Sequence, residues 1–232
     1  SKSYSSRGML KTSLEKAFGW KDVKIICGGA DNAVSALGIG VFNPGDCMVS
    51  VGTSGTVLGV TSSTEPDLEG KLHYFNHVVD GTSYYMGVML SATGSFDWAR
   101  RMVATDESLE KIEEMVKNTV PGSKGLIFLP YLNGERTPHR DPHARGVIFG
   151  ISSLSEKADI MRSVIEGVTF GLRDSFELVK KHVDVKSAKI TGGGSNNLEW
   201  VKIIASNFKV PIEIPEINEG GAYGAAMLAA AG

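Results

Sequence analysis

The chain has 232 residues, of which 42% are hydrophobic and 22% charged, and its formal net charge is −2 at pH 7. This length allows one sizeable core, the balanced charge without a basic stripe argues against a nucleic-acid partner, and two cysteines do not make a disulfide framework. The sequence shows neither a secretory signal nor an apolar run near the length of a membrane span, which predicts a cytoplasmic protein without a membrane partner.

The first half of the chain predicts short elements separated by glycine turns. Residues 1–9 are small, polar and without a helix cap, so we expect an irregular start of a fragment there, followed by one domain over 10–232. An apolar pattern closed by glycine predicts a helix over 10–19, and small residues predict another over 32–40. Strands are expected over 23–27, 47–51, 56–61, 73–79 and 83–88, the last two joined by an Asp-Gly turn.

The second half of the chain is richer in helices. Apolar residues recur every four positions between 155 and 182, which predicts one long helix. Further helices are expected over 91–103, 108–118, 197–208 and 222–231, the last rich in alanine. Strands are expected over 126–129, 147–151, 188–191 and 210–214. This mixed order predicts an α/β fold with one compact body.

Asp31 is the first candidate for chemistry. It follows the strand predicted over 23–27 and a pair of glycines, and it precedes Asn32. A carboxylate at the end of a strand lies where open α/β sheets bind their ligands, and it can take the proton from a hydroxyl group. Because aspartate is also a preferred N-cap residue, a structural role at the start of the next helix is an equal alternative.

Two glycine-rich turns follow strands further along the chain. The first reads Gly-Thr-Ser-Gly over 52–55, and its backbone N–H groups and hydroxyls can bind an anion. The second reads Gly-Gly-Gly-Ser-Asn-Asn over 192–197, before a helix whose N-terminus would face a ligand. Neither is a Walker sequence or a full dinucleotide fingerprint, and ordinary turns are the alternative. With Asp31, these turns suggest phosphoryl transfer to a hydroxyl group.

Charged residues and histidines crowd one loop in the middle of the chain. The residues concerned are Glu135, Arg136, His139, Arg140, Asp141 and His143. The functional interpretation is a polar rim of the cleft, and the alternative is a solvated loop locked by two prolines. A metal site built from His139, Asp141 and His143 is disfavoured, because alternate residues would have to converge on one ion.

Seven short blocks of sequence are informative as an ordered set. They lie at 28–32, 51–55, 129–139, 144–146, 166–174, 192–194 and 221–226. In this order they resemble the C-terminal half of the FGGY carbohydrate kinases, from about residue 10 onward. The resemblance implies an actin-like (ribonuclease H-like) α/β ATPase lobe, with a mixed sheet flanked by helices. The sequence departs from the family pattern at Ala30, where many relatives carry glycine.

The resemblance also implies roles for individual residues. Asp31 would be the catalytic base, would contact the sugar together with Asn32, and would lie near the magnesium ion carried by ATP. The implied second phosphate loop comprises Gly52, Thr53 and Gly55, and the implied adenosine loop comprises Gly193, Gly194 and Asn197. The implied cofactors are therefore ATP and Mg²⁺.

The activity implied by the resemblance is ATP-dependent phosphorylation of a pentulose, D-xylulose, to D-xylulose 5-phosphate. Gluconate, ribulose or glycerol is the alternative substrate. A different class of function is a non-catalytic actin-like module that binds nucleotide and controls assembly, which would need no base at Asp31. We expect the family's N-terminal lobe as the missing partner of an inactive fragment, with a homodimer as a second candidate.

Overall fold

The computed structural model describes residues 2–67, 69–217 and 219–232. Its strands, numbered in chain order, are Ser6–Met9 (β1), Lys24–Ile26 (β2), Cys47–Val51 (β3), Gly55–Thr61 (β4), His73–Asn76 (β5), Ser83–Met89 (β6), Ile127–Leu129 (β7), Val147–Phe149 (β8), Ala188–Thr191 (β9) and Ile212–Glu213 (β10). Its α-helices are Thr12–Phe18 (α1), Asp31–Gly38 (α2), Thr93–Val103 (α3), Leu109–Asn118 (α4), Lys157–Lys180 (α5), Leu198–Phe208 (α6) and Gly220–Ala231 (α7).

A six-stranded mixed sheet forms the centre of the fold, in the order β10-β9-β3-β4-β6-β5. β10, β9 and β3 run parallel to one another, whereas β4, β6 and β5 follow as antiparallel neighbours. Val51, the last residue of β3, pairs with Gly55, which in turn pairs with Met89 at the end of β6. The carboxyl ends of β3, β9 and β6 therefore lie at one edge of the sheet.

The sheet separates two hydrophobic clusters because successive strand residues point to opposite faces. Val49 and Val57 belong to the cluster that α3, α4, α5 and α6 cover. Met48 and Leu58 belong to the other cluster, which α2 and α7 cover. The four-residue apolar repeat predicted for the long helix is confirmed along α5: its first member, Ile160, is half-buried, and the following members are fully buried, namely Val164, Val168, Leu172 and Phe176.

The residues before α2 form a small two-stranded unit that is tied to the rest of the chain, since the Tyr4 hydroxyl donates to Asp80 at 3.0 Å and the Lys24 ammonium donates to the carbonyl oxygen of Gly232 at 3.2 Å. β1 pairs antiparallel with β2, so residues 6–9 form a strand where the sequence predicts an irregular start. The difference arises because the pairing partner lies across α1 and leaves no local pattern. None of the α1 residues is buried, although Gly19 closes the helix in the left-handed conformation as predicted. Cys27 is exposed in this unit, while Cys47 is buried in β3.

Helix α7 packs along α2 and is buried at Gly220, Gly224 and Leu228. The alanine-rich sequence therefore packs against this chain through one narrow face. Within the described residues, no helix combines the length and apolar character needed to cross a membrane.

Candidate functional site

Two glycine-rich turns meet where the parallel strands β3 and β9 end. A Cβ atom added at Gly192 would lie 2.7 Å from the carbonyl oxygen of Val51, and one added at Gly194 would lie 2.4 Å from the Val51 Cγ1 atom. Only glycine allows this approach of the turn after β9 to the end of β3. The structure thus brings together the turns at 52–55 and 192–197, which are far apart in sequence.

A cleft of about 540 Å³ opens at this edge of the sheet. Its floor is formed by the ends of β3 and β9, and its walls by the start of α2 and the start of α7. The lining residues are Asn32, Ser35, Met48, Ser50, Thr191, Gly192, Gly193, Asn196, Glu219, Gly220, Gly221 and Ala222. A cleft of this size beyond the carboxyl ends of parallel strands suits a small-molecule ligand.

The turn at 52–55 is fixed by the N-terminus of α3. The carbonyl oxygen of Thr53 accepts hydrogen bonds from the N–H groups of Ala92 at 2.8 Å and Gly94 at 3.2 Å, and the carbonyl oxygen of Gly52 accepts one from Thr93 at 2.8 Å. These bonds satisfy N–H groups that a helix start leaves unpaired. Thr53 and the next residue, Ser54, are exposed.

The N–H groups of Thr53 and Ser54 have no hydrogen-bond acceptor among the described residues. Successive unpaired backbone N–H groups in a tight turn form a concavity that binds anions. The turn therefore has the donors that a phosphate group requires. Gly55 takes no part in this concavity: it is the buried first residue of β4, where a Cβ atom would lie 2.7 Å from the Leu172 side chain.

Asp31 is the first residue of α2 and is exposed. The N-cap position is occupied by Ala30, and no side-chain cap is formed. The Asp31 carboxylate accepts hydrogen bonds from Asn32, from the backbone N–H at 2.7 Å and from Nδ2 at 3.1 Å. Asp31 thus does not hold the N-cap position that its residue type favours, and it stays exposed at the start of α2.

Asp31 lies beside a second cleft that adjoins the first. Asp31 lines a neighbouring apolar cleft of about 620 Å³ between β2 and α7, and Gly221 lines both clefts. Burial, and to a lesser degree the charge of Asp31, raises the pKa of the Tyr84 hydroxyl below it. Asp31 and Asn32 therefore face two adjoining spaces from one helix start.

The predicted adenosine residues separate into two groups. Gly193 lines the cleft and has open space around its Cα atom, while Gly194 is buried against β3. Asn197 caps α6, since its Oδ1 atom accepts the N–H of Trp200 at 2.9 Å. Asn196 is the asparagine that lines the cleft. Sequence spacing alone does not distinguish these two neighbours.

The loop between β7 and β8 is anchored rather than freely solvated. Glu135 is 3% exposed and Thr137 is 2% exposed, and both bond to the end of β6. Sequence reasoning placed Glu135 on a polar rim and missed its burial. The glycine and proline that flank it in sequence, Gly134 and Pro138, were the available signal for a fixed loop.

The described side chains do not form a metal site of their own. The part of the chain that the structure describes contains no group of three His, Cys, Asp or Glu side chains able to hold a metal ion. This includes His139, Asp141 and His143, which the sequence analysis disfavoured as a site. An ion at the cleft would therefore need ligands supplied by another molecule.

Known proteins resemble this chain in sequence. The profile of the FGGY family of carbohydrate kinases, C-terminal domain, matches residues 47–232. Xylulose kinase of Staphylococcus epidermidis is 41% identical, with 100% of this chain and 47% of that protein covered. The chain thus spans about half the length of the curated relatives it matches.

Solved structures resemble this chain in fold. Ligand-bound xylulose kinase from Lactobacillus acidophilus superposes with a TM-score of 0.91 at 29% identity, with 99% of this chain and 47% of that chain covered. Gluconate kinase from Lactobacillus acidophilus gives the same TM-score, identity and coverage. These likenesses confirm the predicted fold class, a mixed α/β lobe whose sheet is flanked by helices.

Proposed function

This chain belongs to the FGGY family of carbohydrate kinases, as a C-terminal domain, and from that membership we propose that it is the nucleotide-binding half of a pentulose kinase. The proposed reaction transfers the γ-phosphoryl group of ATP to a hydroxyl group of D-xylulose. One observation carries the proposal: the turn at 192–197 packs on Val51, directly before the turn at 52–55, and lines a cleft together with Asn32, the neighbour of Asp31. The likeness to xylulose kinases supports the choice of sugar.

The cleft provides the groups that an ATP molecule needs. Gly193 leaves space for a nucleoside beside the start of α7, and the N–H groups of a helix start favour a negatively charged ligand. The exposed N–H groups of Thr53 and Ser54 would hold phosphate oxygens. We place the adenosine at the turn after β9 and the phosphates at the turn after β3.

Asp31 is proposed as the general base. Its carboxylate would accept the proton of the sugar hydroxyl as that oxygen forms a bond to the γ-phosphorus, and ADP would leave with the bridging oxygen. Asn32 holds one carboxylate oxygen at 2.7 Å from its backbone N–H and 3.1 Å from Nδ2. These bonds orient the carboxylate and leave the other oxygen available for the proton.

Mg²⁺ fits this arrangement as a companion of ATP. The described side chains do not form a metal cage of their own, and magnesium is commonly held by one or two carboxylates together with substrate phosphates. Asp31 would be the carboxylate at this site. The bound ion would neutralise charge that develops on the phosphates.

The preceding lobe of a longer protein is proposed as the partner of this chain. About half of the length of the curated relatives has no counterpart here, and the family resemblance implies that a first phosphate loop and most sugar contacts lie in that half. Exposed apolar side chains on β1, α1 and β2 support a contact there: Met9, Leu14, Phe18 and Ile25. We therefore propose that the 232-residue chain binds nucleotide but does not turn over alone.

Other sugars remain specific alternatives. The equal likeness to gluconate kinase from Lactobacillus acidophilus favours gluconate as the second candidate, and ribulose and glycerol follow from the family. A non-catalytic nucleotide-binding module would keep the cleft without needing Asp31. A homodimer and a cytoplasmic location stay predictions.

A coupled ADP-release assay on the longer protein, over D-xylulose, ribulose, gluconate and glycerol, tests the proposal. We expect the highest kcat/KM with D-xylulose. Activity on another sugar alone would remove the substrate assignment, and ADP release from none of the sugars would favour the non-catalytic module. Titration of the 232-residue chain with ATP tests nucleotide binding separately from turnover.

A further inference from the structure

Glu135 is a buried carboxylate that the proposed reaction does not use. It lies in the loop between β7 and β8 and is 3% exposed. Its Oε1 atom accepts the N–H of Leu90 at 3.0 Å and the N–H of Arg136 at 2.7 Å. Because burial of an acid is costly, a carboxylate at this place needs the hydrogen bonds that it receives.

The loop around Glu135 is fixed to the end of β6 at two points. Thr137 donates its N–H to the carbonyl oxygen of Val88 at 2.9 Å, and its Oγ1 atom accepts the N–H of Val88 at 3.0 Å. The backbone of Glu135 exchanges two hydrogen bonds with Asp141, at 2.8 and 2.9 Å. The backbone bonds between Glu135 and Asp141 therefore close the loop on itself. Its residues Thr137 and Glu135 bind the backbone of Val88 and Leu90.

The segment 90–94 connects this loop to the turn at 52–55. Leu90 is held by Glu135 at one end of the segment. At the other end, three successive N–H groups at 92–94 bond to the carbonyl oxygens of Gly52 and Thr53. A shift of Leu90 would move the N-terminus of α3 and, with it, these carbonyl groups.

We propose that Glu135 is a positioning residue for the turn at 52–55. By holding the N–H of Leu90, it fixes the segment 90–94, which keeps the carbonyl groups of Gly52 and Thr53 on α3. The opposite side of the turn then presents the N–H groups of Thr53 and Ser54 to the nucleotide phosphates. The claim about nucleotide phosphates (the phosphate part) rests on the proposed function. The claim that Glu135 fixes the segment 90–94 and the turn (the mechanical part) does not.

Matched variants separate positioning from ordinary stabilisation. Glu135→Ala removes the acceptor, Glu135→Asp shortens it by one methylene, and Glu135→Gln keeps an oxygen that can accept both bonds. Asp46→Ala is the control, because the Asp46 Oδ2 atom also accepts two backbone N–H groups, from Phe42 at 3.0 Å and Asn43 at 2.8 Å. Asp46 precedes β3, at the end of the strand away from the turn.

Amide hydrogen exchange of the 232-residue chain without nucleotide measures the mechanical part. We expect Glu135→Ala to speed exchange at Ala92, Thr93 and Gly94 by about tenfold or more, since bonds to a carboxylate are among the stronger ones. Glu135→Asp should act in the same direction, and it serves if the alanine variant does not fold. Glu135→Gln should stay within about threefold of the parent. Faster exchange limited to 133–141 would overturn the proposal.

Binding of ATP compared with adenosine measures the phosphate part. We expect Glu135→Ala to weaken ATP binding about tenfold and to leave adenosine binding unchanged, while Asp46→Ala leaves their ratio unchanged. An equal loss for both ligands in Glu135→Ala would show general destabilisation and contradict the inference. If the parent chain bound neither ligand, the proposed function would fail, and the exchange result would still decide whether Glu135 positions the turn.

Discussion

Gly38 and Gly220 bring the backbones of α2 and α7 into direct contact. A Cβ atom added at Gly38 would lie 1.9 Å from the carbonyl oxygen of Gly220, and one added at Gly224 would lie 2.0 Å from the carbonyl oxygen of Val34. No side chain fits between helices at such distances. The walls of the cleft, which the starts of both helices supply, depend on this glycine contact.

Gly38→Ala should therefore destabilise the chain, although alanine normally favours a helix interior. We expect a loss of about 2 kcal/mol or more in the free energy of unfolding, because the added methyl group forces the two helices apart. Urea denaturation followed by circular dichroism gives this value. A gain in stability would contradict the close contact.

Gly193→Ala is the matched glycine variant with the opposite expectation for stability. No heavy atom lies within 4 Å of a Cβ atom at Gly193, so the free energy of unfolding should change by less than about 0.5 kcal/mol. The methyl group would enter the proposed adenosine space, and adenosine binding should weaken. Calorimetric titration of the folded variant measures this. Unchanged affinity for adenosine would show that adenosine does not bind at this turn.

Asp31→Asn tests the base in the longer protein. We expect kcat to fall by about 10²- to 10⁴-fold, which is the usual contribution of a general base, with ATP affinity within about threefold of the parent. Asp184→Asn is the control, because Asp184 is exposed and forms an ion pair with its neighbour Lys186 at 2.8 Å. Equal turnover in the Asp31 variant and the parent would show that another group acts as the general base.

Asp67 should make stability depend on pH in the acid range. Burial raises the pKa of its carboxyl group, but N–H groups of Leu72, Lys71 and Glu69, with His182, outweigh burial and hold the pKa below its ordinary value of 3.8. The charged form is thus stabilised by folding. Its contribution is complete above the unfolded pKa and is lost as the pH falls through the lower folded pKa.

Asp67→Asn should therefore lower stability at neutral pH and flatten its decline below about pH 4. Urea denaturation from about pH 2.5 to pH 6 measures the difference in unfolding free energy between the parent and the variant. A difference that stays constant across this range would show that Asp67 contributes no pH dependence.

Local patterns predicted most elements of this fold. The four-residue repeat along α5, the glycine after α1 and the strand β3 all depend on residues close in sequence, and their positions are confirmed. The pairing of β9 beside β3 could not be predicted in this way, since it joins distant segments. β1 was missed for the same reason.

The candidate site was predicted only in part. Glycine turns after strands identified the two loops, but their meeting depends on Gly192 and Gly194 packing against Val51. Glu135 was assigned to a rim because a charged residue in a polar loop is usually exposed. Its burial follows from a partner, Leu90, that lies 45 residues earlier in the chain. Sequence patterns that span a few residues cannot predict such a contact.

The unit made of β1, α1 and β2 has a thermodynamic consequence for Asp31. A helix with no buried residue and a two-stranded ribbon contribute little to cooperative melting. Residues 6–26 should therefore open at a lower free energy than the central sheet, whereas Lys2 and Tyr4 are held to Asp80 by an ion pair at 2.8 Å and a hydrogen bond at 3.0 Å. Asp31 lies just beyond that border, on the helix that α7 clamps. Asp31 therefore belongs to the stable part of the fold, although it lies beside β2, which is part of the segment that opens first.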